Sequence, residues 1–217
     1  MIKGIIFDMD GLMIDTESLL QTFWCKAANE FGYPMTKEHV LGIRSLSAKY
    51  AIRHLKNIFG ENFDYYAVRA LRIKMMNEYI SKNGLTKKRG LDELLKFLKT
   101  TSLKIAIATA TDYQRTQIYL KSIKVLDYFD KIVCGDMIKN GKPEPDIYIE
   151  ASKQLSLNPN ECIALEDSPN GILSAYRAGC KPIMIPDLTK PDIETSKLLF
   201  AECNDLSDVI TIIKKLI

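Results

Sequence analysis

Asp8 and Asp10 stand two positions apart at the end of the apolar run Gly4-Ile5-Ile6-Phe7, with Gly11 directly after them. The run is long enough for one buried strand. Two carboxylates at the end of a buried strand need compensation, and a bound divalent cation supplies it. The carboxyl ends of parallel strands are also where open α/β sheets carry their chemistry. Taken alone, Asp-Gly is an ordinary turn pair. The reading therefore depends on what the later strands end in.

Three further apolar runs end in chemically capable residues. Residues 104–109 finish in Thr109-Ala110-Thr111, a hydroxylated turn with backbone N–H groups near a helix start, suited to an anion. Lys142 lies in Gly141-Lys142-Pro143-Glu144-Pro145-Asp146, where two prolines stiffen the loop and let the lysine be aimed. Residues 162–165 finish in Glu166-Asp167, followed by Ser168-Pro169-Asn170-Gly171. Each has a plain alternative: helix caps for the threonines and for Glu166-Asp167, a solvated lysine for Lys142. Together, at one sheet edge, they make a hard, oxygen-rich cation site that suits Mg²⁺ rather than zinc. A lysine and N–H groups beside it can hold phosphate oxygens as charge shifts in a transition state.

These strand ends need a scaffold. Leu19, Leu20, Phe23, Trp24, Ala27, Ala28 and Phe31 recur at helical spacing, and further helices are expected over residues 46–59 and 65–82. Nothing between residues 18 and 82 reads as a strand, and Asn83-Gly84 marks the return from this insert. Strands (residues 104–109, 131–134, 162–165, 181–185 and a short one near 199–201) then alternate with helices (residues 90–100, 112–123, 145–155, 169–178 and 206–216). Such alternation predicts an α/β fold: a Rossmann-like, mostly parallel sheet with an inserted all-helical domain. The expected division is residues 1–16 and 83–217 as the core, and 17–82 as the insert.

Composition narrows the partners. The 217 residues are 47% apolar and 26% charged, an ordinary globular balance. A net charge of +3 is too small to point to nucleic acid or a membrane surface. Five cysteines, an odd number with no CxxC pair, argue against a disulfide framework or zinc site and for a reducing cytoplasm. No signal-peptide pattern, membrane-length apolar run or internal repeat is visible.

Asp8-Met9-Asp10-Gly11, Thr109, Lys142 in GKPEPD and Glu166-Asp167 in LEDSPNG, in this order, resemble the four motifs of the haloacid dehalogenase-like superfamily. The helical insert resembles the small cap of its β-phosphoglucomutase and phosphatase-like subfamily. The resemblance implies Asp8 as nucleophile, forming an aspartyl-phosphate, and Asp10 as general acid and then base. It implies Mg²⁺ between Asp8, the Asp10 backbone carbonyl and Asp167, with Glu166 a ligand directly or through water. Thr109, the Ala110 N–H and Lys142 would hold the phosphoryl group. The loop Gly42-Ile43-Arg44-Ser45 resembles the substrate-specificity loop, with Arg44 a candidate contact. An acid at position 10 implies phosphoryl transfer to or from oxygen. The family's mutases carry a histidine where Leu20 stands here, so the expectation is a phosphatase acting on a small phosphorylated metabolite. A phosphosugar mutase is the alternative, and an inactive binding module a more distant one.

Overall fold

Gly4–Phe7 forms β1, buried along its whole length. The computed structural model describes residues 1–44 and 46–217. Ser45 of the expected specificity loop therefore lies outside the described residues. The elements after β1 are the helices α1 (Glu17–Glu30), α2 (Lys37–Leu41), α3 (Ala48–Phe59), α4 (Tyr65–Asn83) and α5 (Leu91–Leu98). There follow β2 (Lys104–Thr109), α6 (Tyr113–Ser122), β3 (Lys131–Cys134), α7 (Asp146–Gln154), β4 (Cys162–Glu166) and α8 (Pro169–Ala178). The chain closes with β5 (Lys181–Met184), α9 (Ile193–Ser196), β6 (Ala201–Glu202) and α10 (Asp208–Ile213).

The six strands make one sheet in the order β3-β2-β1-β4-β5-β6, and every pairing is parallel. β1 is interior, with Ile5 opposite Ile105 on one side and Ile163 on the other. The strand order reverses between β1 and β4. In sheets of this order that switch point opens a crevice at the carboxyl ends, because the crossovers leave it in opposite directions. Asp8 and Asp10 follow β1; Glu166 ends β4 and Asp167 follows it.

The period-two alternation of the strands sorts the side chains by size. Ile5, Phe7, Ile105, Ile107, Ile163 and Leu165 pack on one face against Leu91, Leu94, Leu98, Val209 and Ile213 of α5 and α10. Ile6, Ala106, Ala108 and Ala164 face α7 and α8, where Ile147, Tyr148, Ala151 and Ala175 fill the space. The alanines leave room for Tyr148, which is fully buried.

The helices α1–α4 have a core of their own, built from Trp24, Ala27, Ala28, Val40, Leu55, Phe63, Tyr65 and Val68. The chain enters and leaves them by adjacent segments: Asp15 N–H donates to Thr86 O at 2.9 Å and Lys88 N–H to Met13 O at 2.9 Å. α4 ends at Asn83, and Gly84 turns the chain at φ +77°. Several element boundaries differ from the sequence expectation. α3 starts at Ala48 rather than residue 46, because the Ser47 N–H donates across to Lys142 O at 3.1 Å. The last strand and last helix are shorter than expected, at Ala201–Glu202 and Asp208–Ile213. The short helices α2 and α9 were not foreseen; neither is long enough to show an apolar period.

Candidate active site

Asp8 is held in place by β4, its N–H donating to Leu165 O at 3.0 Å. Its carboxylate is buried, and Lys142 Nζ donates to its Oδ1. The same ammonium donates to Glu166 Oε1 at 2.5 Å and to Ala108 O at 3.2 Å. Tyr148 OH donates to the same Glu166 oxygen, and Glu166 Oε2 accepts the Asp167 N–H at 3.3 Å. A stiff loop therefore delivers one fully buried lysine between two carboxylates from adjacent strands.

Burial opposes the charge on Lys142, yet Asp8 and Glu166 more than offset it and hold its pKa above the usual lysine range. Asp8 shows the converse. Burial, with Glu166 and Asp167 nearby, raises its pKa well above the ordinary aspartate value, although Lys142 pulls it down. Asp167 is raised for the same first reason, with Arg44 opposing. Three carboxylates crowded in a buried place carry more negative charge than Lys142 and Arg44 together offset.

Asp8, Glu166 and Asp167 present oxygens that all lie within 4.8 Å of one another, a set that could hold a metal ion. One atom tests the fit. Asp167 Oδ1 is buried and has no hydrogen-bond partner among the described residues, as expected of an oxygen kept for a cation. The backbone around the cluster is stripped of side chains. A Cβ on Gly171 would run into the Glu166 carboxylate, and one on Gly11, at φ +85°, into Asp167 Oδ2. Glu166, with both oxygens engaged, is better placed to fix its neighbours than to bind a cation directly.

The Asp10 carboxylate turns away from this cluster. Its Oδ1 accepts from Thr16 Oγ1 at 2.7 Å, and its Oδ2 from Thr111 Oγ1 at 2.7 Å and Thr109 Oγ1 at 3.4 Å. The plain cap readings thus give way to other residues. Asp112 caps α6 and Ser168 caps α8, leaving Thr109, Thr111, Glu166 and Asp167 to the site.

Asp8, Asp10, Thr109, Ala110, Lys142 and Arg44 line one cleft of about 320 Å³ between the sheet edge and the helices α1–α4. Arg44 lies deeper than a surface loop arginine would. Its Nη2 pairs with Asp167 Oδ2, its Nη1 donates to Thr189 Oγ1 at 2.9 Å, and Glu17 Oε2 is 3.4 Å from its Nε. The helical layer is tied to the core by Ser47 N–H on Lys142 O, Asn170 Nδ2 on Arg44 O at 3.0 Å and Tyr50 OH on Glu144 Oε1 at 2.6 Å.

Sequence reasoning missed Glu17, Tyr148 and Thr16. Glu17 reads as a first-turn helix acid and Tyr148 as a core aromatic. Glu17 is buried, and its pKa is pushed up to about 8 by burial, with Arg44 opposing and Asp10, Asp8 and Asp187 adding to the rise. Only Thr16 carried a sequence signal, a hydroxyl six positions beyond Asp10 in the same turn.

The chain is similar to several known proteins. A phosphorylated carbohydrates phosphatase of Thermotoga maritima is 31% identical over 187 residues, covering 83% of each chain. A β-phosphoglucomutase of Bacillus subtilis is 27% identical, over 82% of this chain and 80% of its own length. The crystal structure of a hydrolase from Pseudomonas syringae superposes with a TM-score of 0.86 over 98% of both chains at 22% identity, a likeness of fold. The profile of the haloacid dehalogenase-like hydrolases matches residues 5–185, so the chain belongs to that family.

Proposed function

We propose that the protein is a Mg²⁺-dependent phosphatase that hydrolyses a small phosphorylated metabolite, of the sugar-phosphate kind, through an aspartyl-phosphate on Asp8. The observation that carries this reading is Lys142, buried between Asp8 and Glu166, in a cluster where one Asp167 oxygen has no partner among the described residues. The phosphatase relative from Thermotoga maritima supports the substrate class.

In this reading Asp8 and Asp167 hold the cation, with the Asp10 backbone carbonyl, and Glu166 acts through water. When bound, Mg²⁺ offsets the carboxylates and draws the phosphoryl oxygens toward Asp8. Lys142 holds Asp8 Oδ1, which leaves Oδ2 to attack phosphorus as the bond to the leaving oxygen breaks. Asp10 gives that oxygen a proton. It then takes one from the water that attacks the acyl phosphate, releasing inorganic phosphate and restoring Asp8. Thr16 and Thr111 fix the Asp10 carboxylate during both transfers. Thr109, the Ala110 N–H and Lys142 receive the phosphoryl group.

Residues 17–82 act as a cap that closes over the cleft and excludes bulk water. The separate core of α1–α4, and the few hydrogen bonds that tie it down, support this division from a core of 1–16 and 83–217. Leu20 lines the cleft, and no histidine does among the described residues, which favours hydrolysis over a mutase cycle. His39 instead accepts from Thr36 N–H within α2, and His54 packs against Gly42. Five free thiols suit a reducing compartment such as the cytoplasm.

A screen of phosphorylated sugars and sugar alcohols for phosphate release tests the reading. Release should need Mg²⁺ and should fall on the order of 10⁴-fold or more in Asp8→Asn. Isomerised hexose phosphate in excess of free phosphate would favour the mutase, and turnover unaffected by Asp8→Asn would refute both.

A further inference from the structure

The helical wall of the cleft carries a buried positive charge, on Arg72, that meets no counter-ion among the described residues. Arg72 of α4 is 6% exposed, and its guanidinium lies 5.2 Å from the centroid of the Trp24 ring. Its Nη1 reaches only the Met76 sulfur, at 3.9 Å, and its Nε is buried with no hydrogen-bond partner. It enters no ion pair among the described residues. A buried charge without a counter-ion costs several kcal/mol in general, roughly, so an arginine kept this way calls for a reason.

Its neighbours deepen the imbalance. Arg69, one turn earlier on α4, and Arg115, across the cleft on α6, line the same end of the cleft. Burial and then repulsion from Arg115 and Arg69 bring the Arg72 pKa down to about 10. Arg115 Nε donates to Asp112 Oδ2 at 2.7 Å, which meets part of its charge. Arg69 has no ion pair among the described residues. Tyr65 and Tyr119, both buried, line this end too, and neither hydroxyl makes a hydrogen bond among the described residues. Tyr119 lines the cleft together with Asp10, Arg72 and Arg115 and is close enough to feel the charges of all three.

We propose that Arg72, with Arg69 and Arg115, forms a distal anion subsite, and that the substrate's leaving group carries a second anionic group that binds there. This rests on the phosphatase reading and narrows its substrate class to doubly anionic metabolites. The leaving oxygen sits at Asp10, the chain of the leaving group runs past Tyr119, and its far phosphate or carboxylate meets the guanidinium of Arg72. Trp24, Met76 and Val40 keep water from that end, which strengthens the pairing. An arginine in a dry wall can offer two parallel N–H bonds to either anion.

The test compares kcat/KM, with Mg²⁺, for glucose 6-phosphate, glucose 1,6-bisphosphate, fructose 1,6-bisphosphate and 6-phosphogluconate. The wild-type enzyme should prefer one doubly anionic class over glucose 6-phosphate by roughly tenfold or more, chiefly in KM. The bisphosphate and sugar-acid arms identify the second anion as phosphate or carboxylate. Arg72→Gln should collapse the preference, Arg72→Lys should restore part of it, and Arg69→Gln should reduce it about threefold. Equal kcat/KM across the set in the wild type overturns the proposal. A preference that survives in a folded Arg72→Gln protein, checked by thermal melting, makes Arg72 a packing residue and also overturns it. Should Arg72→Gln fail to fold, the wild-type preference and Arg69→Gln decide. Should no phosphate ester be hydrolysed, the phosphatase reading fails separately. Calorimetry with the same four ligands then decides the subsite: tighter binding of a doubly anionic ligand sustains it, and equal affinities end it.

Discussion

On the sheet side of the cleft, Lys142 stands between Asp8 and Glu166, and Tyr148 completes the coordination of Glu166. On the helical side, Arg72 lies on Trp24 and meets no carboxylate among the described residues. Both cations are buried in walls a few side chains apart. The first is fixed by the chain itself, so its geometry is ready before any ligand arrives, as transition-state stabilisation requires. The second is left for a ligand to complete. In the proposed reading, chemistry common to any phosphate ester falls to the sheet, and discrimination between esters falls to the helices.

The sharpest way to break this comparison is to remove each cation in turn. Lys142→Met strands Asp8 and Glu166 in a buried place. It should cost about 3–5 kcal/mol in urea unfolding and on the order of 10³-fold in kcat/KM. Arg72→Met removes a charge that lacks a counter-ion, so its melting temperature should stay level or rise. If the two variants lose equal stability, the contrast between the walls is wrong. A smaller effect is expected from Gly171→Ala, whose Cβ would displace the Glu166 carboxylate. Activity titrated with Mg²⁺ should then need roughly 10–100-fold more metal.

Much of the sheet side was legible in the sequence, because parallel strands put their chemistry where each apolar run stops. Asp8, Thr109, Glu166 and Asp167 could be expected at one edge from that rule, and Lys142 from its proline-stiffened loop. The strand bounds 104–109 and 131–134 were reproduced for the same reason. The helical side was hidden. Arg72 reads as one more polar position on a long helix, and its burial follows only from the packing of α1 against α4. Arg44 was legible as a loop residue, but its pairing with Asp167 joins positions far apart in the chain. Tyr148 was invisible as a site residue, since nothing local separates a core tyrosine from one that holds a carboxylate.

A further prediction lies where the two walls meet. Glu17, on α1, has a folded-state pKa of about 8 against an ordinary 4.5. A raised acid gives stability that is complete below the unfolded value and fades as pH climbs to the folded one. In the presence of EDTA, wild-type stability relative to Glu17→Gln should therefore decline from pH 4.5 to about 8 and level off above it. A flat difference across that window would mean that Arg44 keeps Glu17 ionised and that the walls are already joined by a full ion pair.

The interior place of β1 has a consequence for the order of assembly. Gly4 finds one neighbour at Lys104 and the other only at Cys162. β1 thus pairs only with strands that follow it at long range, and such distant pairings close slowly. Until β4 emerges, Asp8 has neither the strand that fixes its backbone nor the carboxylates that complete its surroundings.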